Sequence, residues 1–455
     1  MDQSIFRAYD VRGIYPKQIN EDVVFSIGQG FVSLLQAEHP GKKIFNIVVG
    51  RDMRLSSPSL EKSLIKGVTA AGANVINIEQ ASTPTFYYAV ARFGYDGGLI
   101  VSASHNPKEY NGVKLVRARA AAFGLEDGLD KIRDFCARGE KITAPLPGKT
   151  IRREGVLADC VKESVSFYDF SGIKPLKIVA DTANAMGGLD LAELTRHLPI
   201  KLEKLNFKLD GNFPAHQADP FKDENVKDLK AHVIKHQADL GIATDGDADR
   251  IFFIDEKGEM IEPAIIRGIM AQVVLRHNPG AKVGYDIRPG MITREMIEKN
   301  GGQPFVTRVG HSLIKKKSLE ENAVFSGESS GHFFFKTKYG FYETPLIVAL
   351  VMLDELSKSG KKASEWVAPL RKYFHSGEIN SEVANKAEKM KELEKIFGAG
   401  AKNVSWLDGV TIEHDDWWFN VRASNTEPLL RLNLEAKTKA VMEQKKDEVL
   451  RVIRN

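Results

Sequence analysis

Four short segments carry residue types whose spacing could do chemistry together. In Val101-Ser-Ala-Ser-His-Asn-Pro107 an apolar run ends in a loop of small polar residues closed by Pro107, which would leave Ser104 exposed at the mouth of a strand. A serine held there can act as a nucleophile, although Ser, Asn and Pro are also ordinary turn residues. A serine-hydrolase elbow is disfavoured, because Gly-x-Ser-x-Gly is absent. In Thr244-Asp-Gly-Asp-Ala-Asp-Arg250 carboxylates recur at every second residue. Along an extended loop alternate side chains share a face, so Asp245, Asp247 and Asp249 can converge on one hard cation, which would remove the repulsion among them. An EF-hand is excluded: Arg250 occupies the sixth position, where the sharp turn needs Gly, and strand-like runs flank the loop.

The third segment is Gly327-Glu-Ser-Ser-Gly-His332, in which Glu328 and Ser330 alternate and can present oxygens to sugar hydroxyls; it also reads as a Gly-rich turn. The fourth is Arg422-Ala-Ser-Asn-Thr-Glu-Pro428, with Arg431 nearby. Its guanidinium, hydroxyls, amide and loop N–H groups suit a dianion, and a polar turn between two strands has the same composition.

These loops need elements to position them. Buried strands are expected at Ile44–Val49, Val75–Ile78, Gly98–Val101, Leu176–Ala180, Leu240–Ala243, Lys282–Tyr285 and Ala323–Ser326, alternating with helical patterns. One helix should start with Ser57 as N-cap before Pro58 and end near Gly72. Such alternation predicts βαβ units and mixed or parallel sheets, with ligands beyond the carboxyl ends of the strands. Ser357–Ala363 reads as a linker. Beyond it come a helix over Ala387–Phe397, strand-like segments at Val410–Val421 and Leu429–Leu434 and a final helix, an α+β pattern.

A chain of 455 residues exceeds the roughly 250–300 that one core supports, so several domains are expected. With 64 basic and 60 acidic residues the net charge is +4, too balanced for nucleic acid or an anionic membrane as a general partner. Cys136 and Cys160 are far apart and lack a metal-type spacing, which fits a reducing cytoplasm without a disulfide framework. The opening residues lack a basic region followed by an apolar run, so no signal peptide is expected. The most apolar stretch, Leu346–Leu353, is far short of the roughly 20 residues of a membrane span and reads as a buried helix.

Taken in order, the four loops resemble the α-D-phosphohexomutase superfamily, in particular its phosphomannomutase/phosphoglucomutase branch. Phe6-Arg-Ala-Tyr-Asp-Val-Arg-Gly13, Gly50-Arg-Asp-Met-Arg-Leu-Ser-Ser-Pro58, Ser82-Thr-Pro-Thr85 and Asp210-Gly-Asn-Phe-Pro214 belong to the same resemblance, which covers nearly the whole chain. It implies three successive α/β domains with mixed sheets plus a C-terminal α+β domain, four domains around a central cleft. The expected boundaries are 1–148 (serine loop), 149–257 (metal loop), 258–368 (sugar loop) and 369–455 (phosphate loop). It also implies a reversible exchange of hexose 1-phosphate and hexose 6-phosphate, of mannose, glucose or both, through phosphoserine and a hexose 1,6-bisphosphate.

By the same resemblance Ser104 carries the phosphoryl group, and Asp245, Asp247 and Asp249 bind Mg²⁺ together with a phosphoserine oxygen. Glu328 and Ser330, with His332, match the sugar loop; Arg422, Ser424, Asn425 and Thr426, with Arg431, match the phosphate loop. Tyr9, Arg12, Lys114, Arg250 and His311 match positions around the transfer site, with Lys114 and His311 the candidates for acid and base; His105 and Arg288 complete the substrate contacts. The expected form is a cytoplasmic monomer acting on a phosphosugar. Lys108-Glu-Tyr-Asn-Gly112 and the sugar loop favour the mannose/glucose branch over a phosphoglucosamine mutase. Ser329 and Arg288 depart from the Met and Lys that the resemblance leads one to expect there. A Mg²⁺-dependent sugar phosphatase and a non-catalytic phosphosugar binder are the competing readings. A haloacid-dehalogenase phosphatase fits poorly, since Asp249 stands where that chemistry wants Thr or Val.

Overall fold

Apolar runs and helix caps alternate along the chain, and the elements follow them. The computed structural model describes residues 1–424 and 428–455. They form two compact units, Met1–Ile261 with Ser330–Ser364, and Glu262–Ser329 with Glu365–Asn455.

In the first unit, β1 (Val11–Ile14), β2 (Asn46–Arg51), β3 (Asn74–Gln80), β4 (Gly97–Val101), β5 (Tyr110–Arg117) and β6 (Thr150–Arg152) make one sheet, in the order β1-β5-β4-β2-β3-β6. Strands β2, β3, β4 and β6 pair in parallel, while β5 runs antiparallel to β4 and β1. Helices α1 (Glu21–Glu38), α2 (Ser57–Ala70), α3 (Thr83–Arg92) and α4 (Asp130–Ala137) accompany it. The Asn20 side chain accepts from Val23 N to cap α1, and Ser82 accepts from Thr85 N to cap α3, whose first turn holds Pro84. Ser57 is not the cap of α2 that its type suggested. It is the first helical residue, and its hydroxyl is committed to Asp52 Oδ1 at 2.6 Å.

A second sheet comprises β7 (Lys177–Asp181), β8 (Lys201–Leu205), β9 (Leu240–Thr244), β10 (Ile251–Asp255) and β11 (Met260–Ile261), in the order β11-β10-β9-β7-β8. Here β7 is parallel to β8 and β9, and β10 is antiparallel to β9 and β11. Its helices are α5 (Val156–Val165), α6 (Gly187–Thr195) and α7 (Lys227–Lys235). Both β4 and β9 are buried along their full length, which is why their apolar runs show no alternation.

The second unit continues with α8 (Pro263–His277), β12 (Lys282–Asp286), α9 (Met291–Lys299), β13 (Gln303–Thr307), α10 (His311–Glu320) and β14 (Phe325–Gly327). Strand β12 pairs in parallel with β13 and β14. The antiparallel pair β15 (Phe333–Lys336) and β16 (Phe341–Glu343) belongs to the first unit, as does α11 (Pro345–Ser359), the buried helix expected around Leu346–Leu353. The linker is shorter than its composition suggested. Ser357 still lies in α11, Gly360 caps that helix in the left-handed region at φ +64°, and α12 (Ala363–Val367) follows.

The C-terminal part has β17 (Phe374–Glu382), α13 (Lys386–Phe397), β18 (Asn403–Ser405), β19 (Val410–Glu413), β20 (Trp417–Ala423), β21 (Leu429–Ala436) and α14 (Lys439–Arg454). The stretch Val410–Val421 holds two strands, β19 and most of β20. The sheet order is β17-β21-β20-β19-β18, antiparallel throughout, over a core that includes Leu393, Phe419, Leu432 and Val449. The architecture is therefore a series of α/β sheets followed by an α+β domain. Among the described residues no helix is long and apolar enough to cross a membrane.

Candidate active site

Ser104 follows β4 in the left-handed region, at φ +50°. That conformation is costly for a residue with a Cβ. Ser104 is buried, with 2% of its surface exposed, and its Oγ donates to Asp245 Oδ2 at 2.7 Å. The expected exposure is corrected by this contact.

Asp245, Asp247 and Asp249 are all buried, and their ligand oxygens lie within 4.8 Å of one another. They do not converge along an extended stretch, as the alternation suggested. The loop after β9 is a turn, with Ala248 at φ +60° and its N–H donating to Asp245 O at 3.2 Å. Gly246 is required in that turn, because a Cβ would lie 2.3 Å from Ser104 O. Asp247 Oδ2 accepts from Thr83 Oγ1 at 2.6 Å and Lys114 Nζ at 2.5 Å, whereas its Oδ1 is buried and accepts no hydrogen bond. Such an orphaned carboxylate oxygen beside two further carboxylates and a hydroxyl fits a hard divalent cation taking oxygen ligands.

Electrostatics agree with that fit. Burial, followed by repulsion from Asp249 and Asp247, raises the Asp245 carboxyl well above the usual range. Asp249 is also strongly desolvated, but Lys114 and His332 overcome this and hold it well below that range. Lys114, from β5, lies 2.6 Å from Asp249 Oδ2, and despite burial the two Asp residues keep its ammonium charged.

The supporting residues of the first unit are close by. Arg12 Nε donates to Asp10 Oδ2 at 2.7 Å and Nη1 to Asn106 Oδ1 at 2.6 Å, and Tyr9 is near enough to act on its charge. Arg250 Nε lies 3.9 Å from Asp245 Oδ2, and Nη1 lies 4.0 Å from Asp219 Oδ1. His105 Nδ1 is 3.3 Å from Ser104 Oγ, and burial, with Arg250 and Arg12, pushes its imidazole well below the ordinary histidine value. Ser330 Oγ contacts His332 Nδ1 at 2.9 Å, and His332 Nε2 lies 3.2 Å from Asp249 Oδ1. His332 thus links the Gly327–His332 segment to the acidic triad.

In the second unit, Arg288 pairs with Asp286 through Nε and reaches Glu328 Oε1 at 3.2 Å through Nη2. Glu328 Oε1 also accepts from Gly310 N at 3.0 Å, directly before His311, the first residue of α10. Arg422, on β20, pairs with Glu378, and Arg431 Nη1 lies 3.7 Å from the same carboxylate. Arg431 Nη2 donates to Ser424 Oγ at 3.5 Å. Asn425 and Thr426 lie outside the described residues.

The chain matches the phosphoglucomutase/phosphomannomutase family throughout: alpha/beta/alpha domain I at residues 3–142, domain II at 157–258, domain III at 262–373 and the C-terminal domain at 378–452. It belongs to that family. An Escherichia coli protein named phosphomannomutase is 35% identical over 99% of both chains. One from Methanocaldococcus jannaschii is 35% identical over 99% of this chain and 98% of its own. The crystal structure of a phosphoglucomutase/phosphomannomutase family protein from Burkholderia thailandensis superposes with a TM-score of 0.91, at 31% identity, covering 99% of this chain and 97% of that one.

For a member of this family, several neighbours of the site were not singled out by residue type. Thr83 was visible only as part of Ser82-Thr-Pro-Thr85, yet it binds Asp247 through both its hydroxyl and its N–H. Glu343, on β16, groups with His332 and Asp249 within 4.8 Å. Glu378 and Asp286 bind the arginines of the second unit.

Proposed function

We infer that this chain is a phosphohexose mutase, an isomerase that moves a phosphoryl group reversibly between positions 1 and 6 of a hexose. The observation that carries this reading is the 2.7 Å bond from Ser104 to a buried carboxylate triad with an unsatisfied oxygen, in a chain of the phosphoglucomutase/phosphomannomutase family.

The proposed cycle begins once Ser104 has been loaded with a phosphoryl group by a hexose 1,6-bisphosphate. The free hydroxyl of a hexose 1-phosphate attacks the phosphorus; the new O–P bond forms as the Oγ–P bond breaks, the hydroxyl proton passes to a base, and the freed Oγ takes a proton from an acid. The hexose 1,6-bisphosphate then turns around. Ser104 Oγ takes up the phosphoryl group from position 1, losing its own proton, and hexose 6-phosphate leaves with a proton on the freed oxygen. Lys114 and His311 are the groups proposed to move these protons.

Asp245, Asp247, Asp249 and a phosphoserine oxygen are proposed to hold Mg²⁺, which when bound neutralises charge on the transferring group. Arg250, 3.9 Å from Asp245, and Arg12 add fixed positive charge near Ser104. Tyr9, close enough to Arg12 to act on its charge, and His105, next to Ser104, are proposed to contact the substrate. Glu328, Ser330 and His332 are assigned to the sugar and its surroundings. Arg288 is assigned to the substrate beside Glu328, and Arg422, Ser424, Asn425, Thr426 and Arg431 to the phosphate that is not being transferred. That set must read a generic dianion, because both orientations of the bisphosphate have to bind. The proposed setting is a monomer in a reducing cytoplasm, consistent with Cys136 and Cys160 being buried thiols.

The deciding experiment is a mutase assay primed with glucose 1,6-bisphosphate on mannose 1-phosphate, glucose 1-phosphate and glucosamine 1-phosphate, with inorganic phosphate measured in parallel. Isomerisation of mannose or glucose phosphate is expected. Turnover only of the glucosamine phosphate would move the substrate class, and steady phosphate release without isomerisation would replace the mutase by a phosphatase.

A further inference from the structure

Arg54 is the most deeply buried guanidinium of the first sheet's loops, and the cycle above gives it no role. Its side chain is fully enclosed beside Asp52, with Nε 3.3 Å from Asp52 Oδ2. Its two terminal nitrogens donate to carbonyls of the serine loop and of the first residue of β5. Nη2 donates to Ser104 O at 2.8 Å and Asn106 O at 2.6 Å; Nη1 donates to Pro107 O at 2.7 Å and Tyr110 O at 2.9 Å.

Two neighbours complete the restraint. Gln217 Nε2 donates to His105 O at 2.8 Å, and Asn106 N donates to Ala103 O at 3.0 Å, so every carbonyl from residue 103 to residue 107 is bonded. Asp52 is aligned in turn, accepting from Arg54 N at 3.0 Å and Ser57 Oγ at 2.6 Å. From the second sheet's side, the Phe213 ring lies 5.1 Å from the guanidinium carbon. Gly211 packs so tightly that a Cβ would lie 2.6 Å from Leu55 N and 2.8 Å from Arg54 Cα. The segments Gly50–Pro58 and Asp210–Pro214 thus form one structure around Arg54.

We propose that Arg54 is the positioning residue for the phosphate carrier: its planar fork draws the serine-loop carbonyls to one side and so holds Ser104 in its left-handed conformation, with Oγ on Asp245. This inference rests on the reading of Ser104 as the carrier. Its physical content is twofold. A φ of +50° is unfavourable for serine and persists only where surrounding bonds over-determine it. The carbonyl dipoles are also turned towards Arg54, which keeps their negative ends off a phosphoryl dianion on Oγ. A lysine at this position has the charge but cannot span the fork's carbonyls.

The experiment uses the full chain and follows Ser104 phosphorylation by glucose 1,6-bisphosphate in a single turnover, by intact mass, alongside steady-state kinetics. Arg54→Lys is expected to slow labelling and kcat about a hundredfold, with KM within about threefold, the pattern of a misplaced reacting group. Methylguanidine should restore part of the labelling rate to Arg54→Ala. Asp52→Asn, which keeps the shape and removes the aligning charge, should slow labelling about tenfold by the same reasoning. Labelling at the wild-type rate in Arg54→Lys overturns the proposal; should that variant not fold, a wild-type rate in Asp52→Asn overturns it instead. Failure of the wild-type protein to label at all would sink the carrier reading, and is thereby distinguished from failure of the Arg54 role.

Discussion

Ser104 Oγ and Asp245 Oδ2 are 2.7 Å apart although 141 residues separate them in sequence. The bond joins the loop after β4 to the loop after β9, so the serine and the carboxylate triad form one site within one unit. It also explains why a buried serine can serve as a carrier. The hydroxyl is already directed at the group of oxygens among which a cation would neutralise the charge of its phosphate.

The first prediction concerns that pair. Ser104→Ala should lower turnover by at least about a thousandfold, since a relay without its acceptor oxygen has no covalent route. Intact-mass measurement should find no phosphate on the variant after incubation with glucose 1,6-bisphosphate. Near-normal isomerisation would remove Ser104 from the mechanism.

Metal dependence is the second. Chelation should abolish activity and Mg²⁺ should restore it, while Asp247→Asn should raise the Mg²⁺ needed for half-maximal activity about tenfold or more, because it removes the charge of the orphaned ligand. Binding should stabilise the fold as well, by roughly 2.7 kcal/mol at a hundred times Kd. A thermal melt unmoved by Mg²⁺ would contradict the assignment of the triad.

How much of this was legible in the sequence follows from locality. The strands before Ser104 and Asp245 were readable because each is a continuous apolar run closed by small polar residues. The Asp spacing was readable because three carboxylates within five residues have few other uses. The buried state of Ser104 was not, since it depends on a left-handed turn held by Arg54, 50 residues away. Thr83 on Asp247 spans 164 residues, and Glu378 on Arg422 spans 44, so neither pairing leaves a local pattern. His332 was placed with the sugar on segment identity alone, and only the tertiary fold reveals its contact with Asp249.

The third prediction addresses the two departures in the sugar-binding region. Arg288 and Ser329 meet on one buried carboxylate: Arg288 Nε pairs with Asp286 Oδ2, and Ser329 N and Oγ both donate to Oδ1 at 2.9 Å. Arg267 holds the same carboxylate and bonds Ser329 Oγ at 3.0 Å. A change at either residue must therefore alter the orientation offered to the other. Arg288→Lys and Ser329→Ala should combine non-additively in kcat/KM, with a coupling of about 0.5–3 kcal/mol on mannose 1-phosphate. Additive losses would separate the two positions.

The fourth concerns Glu378, which occupies the guanidinium of Arg422 and lies 3.7 Å from that of Arg431. Arg422, with Arg288, holds the Glu378 carboxyl below the usual range in spite of its burial, so it is ionised at neutral pH and competes with a phosphate dianion for the same donors. Glu378→Gln should lower KM for either phosphosugar and strengthen inhibition by inorganic phosphate, each by roughly two- to tenfold, the size of one partly screened charge contact. A raised KM would show that the carboxylate orients Arg422 for substrate and does not compete with it.

The last concerns Asp190, in the first turn of α6 and remote from the metal loop in sequence. Burial, opposed only in part by a bond with the Ser82 hydroxyl, raises its carboxyl to about 7. An unfolded aspartate titrates near 3.9, so the folded chain binds a proton that the unfolded chain releases between these values. The sign follows from linkage. The stability associated with protonated Asp190 is fully present below pH ~4, falls as pH rises towards 7 and is lost above it. About three units at 1.36 kcal/mol each set a ceiling of roughly 4 kcal/mol, which relaxation around an ionised group reduces. Asp190→Asn keeps the shape without the charge and should therefore raise the melting temperature at pH 8, with the advantage shrinking steadily as pH falls to 5. Denaturation of both proteins across that range measures it directly, and a difference that does not change with pH would mean that Asp190 is ionised in the fold at little cost.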